Sequence, residues 1–115
     1  MEEYKVRYSE EYRINEFKRI NTKYPERIPI IVCKGKGCTL NDIDKIKYLV
    51  PNDMTIAQFI YIIRKRISMQ NHEALFILVN NVLLPSNKLI KEIYDSNKDT
   101  DGFLYVIYTS ENTFG

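Results

Sequence analysis

One segment restricts the fold of this sequence more than any other, an amphipathic helix that begins at Thr55. Thr55 and Gln58 have the spacing of a capping box, in which the side chain of each accepts a hydrogen bond from the backbone N–H of the other. Apolar residues then recur at the spacing of one helical face: Ile56, Phe59, Ile60, Ile63 and Ile67. Such a helix needs a second layer of structure that covers its apolar face.

Four short apolar runs predict that second layer, because they have the length and composition typical of β-strands. The runs are residues 28–33, 46–50, 75–79 and 103–108. A further short helix is predicted over residues 87–95, with Asn87 as its N-cap. The regular elements therefore follow one another as strand, strand, helix, strand, short helix, strand.

The first 24 residues predict a charged, helical N-terminal arm. Ser9 is suited to cap a helix whose first turn contains Glu10 and Glu11, since acidic side chains favour the positive end of the helix dipole. The dipeptide Tyr24-Pro25 ends this helix, because the residue before a proline is pushed out of the helical conformation. Residues 2–7 predict another short helix before it.

Two strands joined by a loop, a helix that crosses their sheet and further strands form an α+β arrangement. The compact fold with this order is the ubiquitin-like β-grasp. We therefore expect a four-stranded mixed sheet with one crossover helix, preceded by two N-terminal helices. Residues 1–24 form the arm, and residues 25–115 form the ubiquitin-like domain with a C-terminal glycine tail.

The composition excludes several classes of function. Cys33, Cys38 and His72 are too few for a four-ligand zinc site without carboxylates, and two cysteines do not make a disulfide framework. We expect no metal and no cofactor. No apolar leader or long apolar run is present, so neither secretion nor a membrane span is predicted, and the cytoplasm is the expected compartment.

Charge is distributed unevenly along the chain. The total is only +2, from 17 Lys and Arg against 15 Asp and Glu. The first 91 residues nevertheless sum to +6 and the last 24 to −4. A basic body suits nucleic acid, anionic lipid or acidic peptides, and charge by itself does not choose among them.

Three local motifs suggest chemistry that their context does not support. The glycines of Lys34–Thr39 lack the spacing of a phosphate-binding loop and lead toward a strand. Asn97–Gly102 resembles half of a calcium loop, but the bidentate acid is absent. Arg64–Arg66 is interpreted as the solvent-exposed face of the helix, because no nucleic-acid-binding signature accompanies it. No nucleic-acid partner is expected, and the chain has no visible pairing of nucleophile and base that would make it an enzyme.

The second strand and the tail are more informative. In a β-grasp sheet the second strand lies at an edge, where it is able to accept an extended peptide by strand addition. Alternatively, Lys45 and Lys47 protect that edge from pairing, and the sequence leaves both interpretations open. The tail ends at Gly115, a residue without Cβ that fits a narrow active-site channel. A frayed terminus is the alternative interpretation.

Several segments together resemble the autophagy-related protein 8 family, which includes the GABA-A-receptor-associated protein and the microtubule-associated light chains. The resemblance runs in register from about Arg13 to Gly115. The segments that carry it are Lys23–Val32, Lys47–Pro51, Gln58–Phe59 with Ile63–Ile67, Ala74–Phe76 with Val79–Asn81, and Phe114–Gly115.

The resemblance implies a ubiquitin-like modifier whose terminal glycine, Gly115, is activated and joined to phosphatidylethanolamine by activating and conjugating enzymes. A cysteine protease processes or delipidates such proteins. Anchored on the autophagosomal or another vesicle membrane, members recruit cargo receptors through aromatic-x-x-aliphatic motifs flanked by acids. In this role the chain is a substrate rather than a catalyst. A ubiquitin-like adaptor that binds peptides but is never conjugated is the alternative.

The resemblance also implies a peptide site. Its aromatic pocket would consist of Glu16, Ile20, Pro29, Ile31, Lys47, Leu49 and Phe103. Its aliphatic pocket would consist of Tyr48, Val50, Pro51, Met54, Phe59 and Ile62. The motif backbone would pair with residues 47–49, while Arg27, Lys45 and Arg66 attract the acidic flank.

Three positions in or beside this site depart from the family pattern. Ile46 replaces a residue that is usually basic, so we expect a weaker preference for acids beside the edge strand. Met54 and Ile62 replace leucines, which reshapes the second pocket without removing it.

Overall fold

A computed structural model describes residues 3–70 and 72–110 of the chain. Nine regular elements are present in these ranges. They are α1 (Glu3–Arg7), α2 (Glu10–Lys23), β1 (Arg27–Lys34), β2 (Lys47–Pro51), α3 (Ile56–Arg66), β3 (Phe76–Val79), β4 (Val82–Leu83), α4 (Ile90–Asn97) and β5 (Leu104–Thr109). The α+β prediction and the two N-terminal helices are therefore confirmed.

The strands form one mixed sheet in the order β2-β1-β5-β3-β4. The two central strands, β1 and β5, run parallel, and every other neighbouring pair is antiparallel. This is the ubiquitin-like arrangement predicted from the order of elements. It places β2 at one edge of the sheet and β4 at the other.

The predicted count of four strands was wrong, because β4 adds a fifth. Asn80 and Asn81 both have a positive φ, of 52° and 64°, and form a two-residue turn between Val79 and Val82. Asparagine tolerates this conformation better than most residues. The backbone twist of such a turn matches the twist of the two strands of a hairpin. The chain therefore reverses and β4 pairs with β3.

The second N-terminal helix, α2, and the crossover helix, α3, follow the expected local rules. The Ser9 hydroxyl accepts a hydrogen bond from the Tyr12 N–H at 3.1 Å and caps α2, which ends before Tyr24. Thr55 and Gln58 make both bonds of the predicted capping box, at 3.2 and 2.9 Å. The apolar side of α3 then packs on one face of the sheet, where Ile56, Phe59 and Ile63 are fully buried.

The start of α4 differs from the prediction. The helix begins at Ile90 rather than residue 87, with Leu89 as N-cap and the Glu92 carboxylate accepting from the Leu89 N–H. Asn87 does not cap it. Residues 85–88 instead form a turn, and the backbone of residues 86–90 is hydrogen-bonded to residues 54–57, where Ile90 N–H donates to Met54 O at 2.8 Å. These long-range bonds move the N-cap two positions along the chain, from the predicted Asn87 to Leu89.

The N-terminal helices cover the opposite face of the sheet. Tyr4 and Ile20 pack there with Ile31, Phe103 and Tyr105 in a second buried cluster. A buried ion pair ties the arm to the turn before β5, since Arg13 Nη1 lies 2.6 Å from Asp101 Oδ2. The two faces of β1 therefore pack in different cores. The edge strand β2 continues the same sheet, so it also has one core on each side.

Candidate functional site at the edge of the sheet

The candidate site is built around β2. Among the residues that the structure describes, β2 pairs with β1 alone, so its outer edge carries backbone N–H and C=O groups that no other strand uses. Its side chains alternate between the two faces of the sheet. Lys47 and Leu49 are half-buried on the side of the N-terminal helices, whereas Tyr48 and Val50 are buried on the side of α3. An edge of this kind is a template for strand addition.

The residues predicted for the aromatic pocket lie together on the arm side of β2. Ile20, Ile31 and Phe103 are buried in the second cluster, with Leu49 packed against it. Pro29 is buried in β1 directly opposite Leu49. Glu16 and Lys47 stand beside this cluster, and Lys47 Nζ lies 2.7 Å from Glu16 Oε2. The arm supplies Glu16 and Ile20, so this part of the site exists only when the arm is packed on the sheet.

Glu16 is the electrostatic centre of that region. Its carboxylate accepts hydrogen bonds from Arg19 at 2.8 Å and from Lys47 at 2.7 Å. These two bonds lower the pKa of Glu16 from 4.5 to about 2. Burial disfavours the charged form of Lys47, but the hydrogen bonds and electrostatic attraction of Glu16 and Tyr4 together outweigh it and raise the pKa of the ammonium. Both side chains are therefore charged at neutral pH.

The aliphatic-pocket residues divide into a surface group and a buried group. Pro51, Met54 and Ile62 line an open groove of about 520 Å³ between the end of β2 and α3. Tyr48, Val50 and Phe59 are buried in the α3-side core, against which Met54 and Ile62 pack. The structure thus brings all six into one region, with three at the surface.

Four further residues line the same groove and were missed by sequence reasoning: Asp53, Ala57, Gln58 and Tyr61. Tyr61 is the most prominent, because 60% of it is exposed and Lys65 Nζ lies 5.1 Å from its ring centroid. An aromatic residue on the polar face of an amphipathic helix was the available signal. It became informative only when β2 was placed beside that face.

The three basic residues predicted for the acidic flank are not equivalent. Arg27 is exposed opposite Pro51, and its guanidinium donates to Leu49 O at 3.3 Å. Lys45 lies before β2, with its ammonium 5.0 Å from the Tyr48 ring centroid. Arg66 is paired with Asp44 at 3.0 Å. The charge of Arg66 is thus partly neutralised by Asp44.

Other predicted features have the following positions. Gly115 lies outside the described residues. Cys33 packs with the arm-side cluster and Cys38 with the α3-side core, so the two sulfur atoms belong to different faces of the sheet. Residues 3–70 and 72–110 contain no group of three His, Cys, Asp or Glu side chains arranged to hold a metal ion. Within the same ranges, no helix has the length and apolar character needed to span a membrane.

Comparison with known proteins identifies relatives that cover nearly the whole chain. The family described as Autophagy protein Atg8 ubiquitin like matches residues 12–115. The chain is 52% identical to Autophagy-related protein 8e of Arabidopsis thaliana over 105 residues, which are 91% of this chain and 86% of that protein. It is 50% identical to Autophagy-related protein 8B of Oryza sativa subsp. indica over 112 residues, or 97% and 94% of the two chains.

Solved structures give the same result. Trypanosoma brucei ATG8 has a TM-score of 0.91 at 38% identity, with 98% of this chain and 97% of that chain covered. Plasmodium falciparum Atg8, solved in complex with a Plasmodium falciparum Atg3 peptide, has a TM-score of 0.87 at 32% identity, with 96% and 98% covered. Fold, sequence and length agree, and the chain belongs to the Atg8 family of ubiquitin-like autophagy proteins.

Proposed function

We propose that this protein is a modifier that is conjugated through the carboxyl group of Gly115 to phosphatidylethanolamine and acts in autophagosome formation. Family membership carries the proposal, because the match extends through residue 115 and includes the terminal glycine. Conjugation would convert a cytoplasmic protein into one held on the autophagosomal or another vesicle membrane. The conjugated protein would then display the β2 edge to partners near that membrane.

In this reaction the chain is a substrate. Activating and conjugating enzymes supply the catalysis, and a cysteine protease processes the tail or reverses the conjugation. The Plasmodium falciparum relative that was solved with an Atg3 peptide supports a conjugating enzyme as a partner, since it covers 96% of this chain. Glycine at position 115 suits the reaction because a residue without Cβ leaves room for a narrow catalytic channel.

Lipidation is tested by incubating the chain with cognate activating and conjugating enzymes, ATP and liposomes that contain phosphatidylethanolamine. We expect a faster-migrating, membrane-bound product from the wild-type chain and none from Gly115→Ala, which is the matched control. If both chains give the product, or neither does, conjugation through Gly115 is refuted. Loss of conjugation together with retained peptide binding would favour the alternative of an unconjugated adaptor.

The β2 edge supports the second half of the proposal, recruitment of partners through aromatic-x-x-aliphatic motifs. A bound motif would add a strand to β2, and its backbone would pair with residues 47–49. The aromatic side chain would enter beside Lys47 and Leu49, and the aliphatic side chain would enter the groove at Pro51 and Met54. Backbone pairing gives affinity, and the two pockets give specificity.

Calorimetry with an acidic peptide that contains a Trp-x-x-Leu core tests this site. We expect micromolar binding that Leu49→Ala and Lys47→Glu each weaken by about tenfold, equivalent to about 1.4 kcal/mol. The matched controls are Leu83→Ala, an exposed leucine on β4, and Lys91→Glu, an exposed lysine on α4. Unchanged affinity in both β2 variants would place the peptide elsewhere.

A further inference from the structure

The C-terminal tail leaves the folded domain at one end of the sheet, and the strand pairing shows which segments surround its root. β5 ends at Thr109. β1 runs parallel to β5, so its last residue, Lys34, lies beside Tyr108, and the Gly35 N–H donates to Tyr108 O at 2.8 Å. β3 runs antiparallel to β5, so its first residue, Phe76, pairs with Thr109. The loop after β1 and the segment before β3 therefore both border the root of the tail.

The last turn of α3 lies at the same end of the sheet. The Tyr108 hydroxyl donates to Asn41 O at 2.7 Å, and the Asn41 side chain donates to Ile67 O at 2.8 Å, directly after α3. Arg64, in the last turn of the helix, donates to two backbone carbonyls of the segment before β3. We call these surroundings the tail-end surface, which consists of residues 34–46, 64–70 and 72–75.

The tail-end surface is basic. It contains six basic side chains against three acidic ones, a net charge of +3 with its histidine neutral. The bases are Lys34, Lys36, Lys45, Arg64, Lys65 and Arg66, and the acids are Asp42, Asp44 and Glu73. Lys34 and Arg66 are each paired with an aspartate of the loop. Lys36 and Lys65 are exposed and form no salt bridge with any residue that the structure describes.

The other end of β5 carries the acidic residues of the last part of the chain. β5 begins after the turn that contains Asp99 and Asp101, and its six residues separate that turn from the root of the tail by about 17 Å. Residues 92–101 contain four acids and one lysine. Most of the negative charge of the last 24 residues therefore lies away from the tail-end surface. The tail itself adds one acid, Glu111, so its root attracts anions only through the folded domain.

The position of Gly115 limits the distance between the tail-end surface and a membrane. Six residues follow Thr109, and a fully extended chain spans at most about 3.6 Å per residue, or about 22 Å in all. Because lipid attachment is proposed at Gly115, the headgroups would lie no farther than this from the root of the tail. The acidic turn lies at the other end of β5. Of the two ends of the domain, the basic one is thus held nearer to the bilayer.

We propose that the tail-end surface binds anionic phospholipid headgroups through Lys36 and Lys65. This inference rests on the proposed attachment at Gly115. Each basic residue close to an anionic membrane strengthens binding by about fivefold. The attraction acts only within a Debye length of about 8 Å, so the lipid anchor is needed to bring the surface that close. The contact would orient the domain with its acidic turn away from the bilayer and leave the outer edge of β2 open to peptides.

Vesicle binding tests the proposal with an attachment that does not depend on conjugation. The full chain carries a histidine tag after Gly115 and binds phosphatidylcholine vesicles that contain a nickel-chelating lipid. A second set of vesicles also contains phosphatidylserine, at about a third of the lipid. In flotation at about 0.1 M salt, we expect the wild-type chain to bind the phosphatidylserine vesicles about tenfold more tightly. This preference should disappear at about 1 M salt, where the Debye length is about 3 Å.

The decisive double variant is Lys36→Glu with Lys65→Glu, in which the preference for phosphatidylserine should fall below about twofold. The matched control is Lys91→Glu with Lys98→Glu, which reverses two charges in and directly after α4, on the side of the acidic turn. It should keep the wild-type preference. No preference in the wild-type chain, or an equal loss in the two double variants, would overturn the inference. Because the tag replaces the lipid, these outcomes do not depend on conjugation, and a failed lipidation assay refutes the proposed function separately.

Discussion

Replacement of Asp101 with asparagine is expected to destabilise the protein through the contact that holds the N-terminal arm on the sheet. Asp101 is 1% exposed, and its Oδ2 accepts hydrogen bonds from Arg13 at 2.6 Å and from the Tyr105 hydroxyl at 2.5 Å. Its Oδ1 accepts from the Phe103 N–H at 2.9 Å. One carboxylate therefore satisfies three donors in a place that water does not reach.

The expected cost follows from this count. Asparagine keeps the shape of the side chain but has one acceptor oxygen, and its NH₂ group faces at least one of the three donors. Arg13, whose side chain is 10% exposed, loses its nearer counter-charge and keeps only the Asp99 carboxylate, which lies 3.9 Å away. Removing one partner of a buried ion pair costs about 3–5 kcal/mol when the other charge stays buried and unpaired, and the more distant Asp99 places this case at the lower end. Since asparagine retains part of the bonding, we expect about 3 kcal/mol of lost stability.

Urea unfolding measures this loss. With an m-value on the order of 1.5 kcal/mol/M, the midpoint should fall by about 2 M. The matched control is Asp95→Asn, which removes a carboxylate 2.7 Å from Lys91 in an exposed pair on α4 and should cost only about 0.3–0.5 kcal/mol. Equal losses in the two variants would refute the reasoning. A double-mutant cycle with Arg13→Gln should show coupling above about 1 kcal/mol.

Two further predictions concern the same half of the molecule. Gly102→Ala should cost about 3 kcal/mol in urea unfolding, because φ is +99° and a Cβ would lie 2.3 Å from the Phe17 ring. Gly37→Ala, with φ of +77° and open space, should cost only about 1 kcal/mol, and equal costs would contradict the steric argument. Glu16 should stabilise the fold above pH 4.5 and lose this contribution as the pH falls toward its native pKa of about 2. Arg19 is 65% exposed, so solvent screens its interaction with Glu16. We therefore expect Glu16→Gln to lower the free energy of unfolding by about 1 kcal/mol at pH 6 and by less at pH 3. A loss of stability that is the same at both pH values would contradict the lowered pKa of Glu16.

Elements whose signals are local were predicted well. Thr55 and Gln58 made both bonds of the capping box, and the apolar spacing that follows gave the buried face of α3. Ser9 capped α2 as expected. These features depend on residues within a few positions of one another, so the sequence contains all the information that they need.

Elements whose bounds depend on distant segments were predicted less well. The start of α4 was wrong because the backbone of residues 86–90 is bonded to residues 54–57, which the local Asn87 signal does not reveal. The short strand β4 was missed although Asn80 and Asn81 are suited to a tight turn. Its two residues, Val82 and Leu83, are too few to show a periodic pattern in the sequence. They form a strand only because they pair with β3.

The candidate site shows the same division. Resemblance located the residues around β2, and the structure places the predicted sets on the two sides of that strand. The resemblance did not reveal that Tyr61 lines the groove or that Ile46 borders a cleft between α1 and the loop that joins β1 to β2. Those two facts depend on which surfaces the packing of α1 and α3 leaves open.

The sequence by itself determined the helices with caps, the apolar runs that became β1, β2, β3 and β5, and the ubiquitin-like order of these elements, because caps and periodicity act between near neighbours. Tertiary structure decided which charges pair. Arg13 and Asp101 are 88 positions apart, and neither is distinguished in the sequence from exposed residues of the same type. The strength of such a pair depends on burial and distance, and both are set only when the arm packs on the sheet.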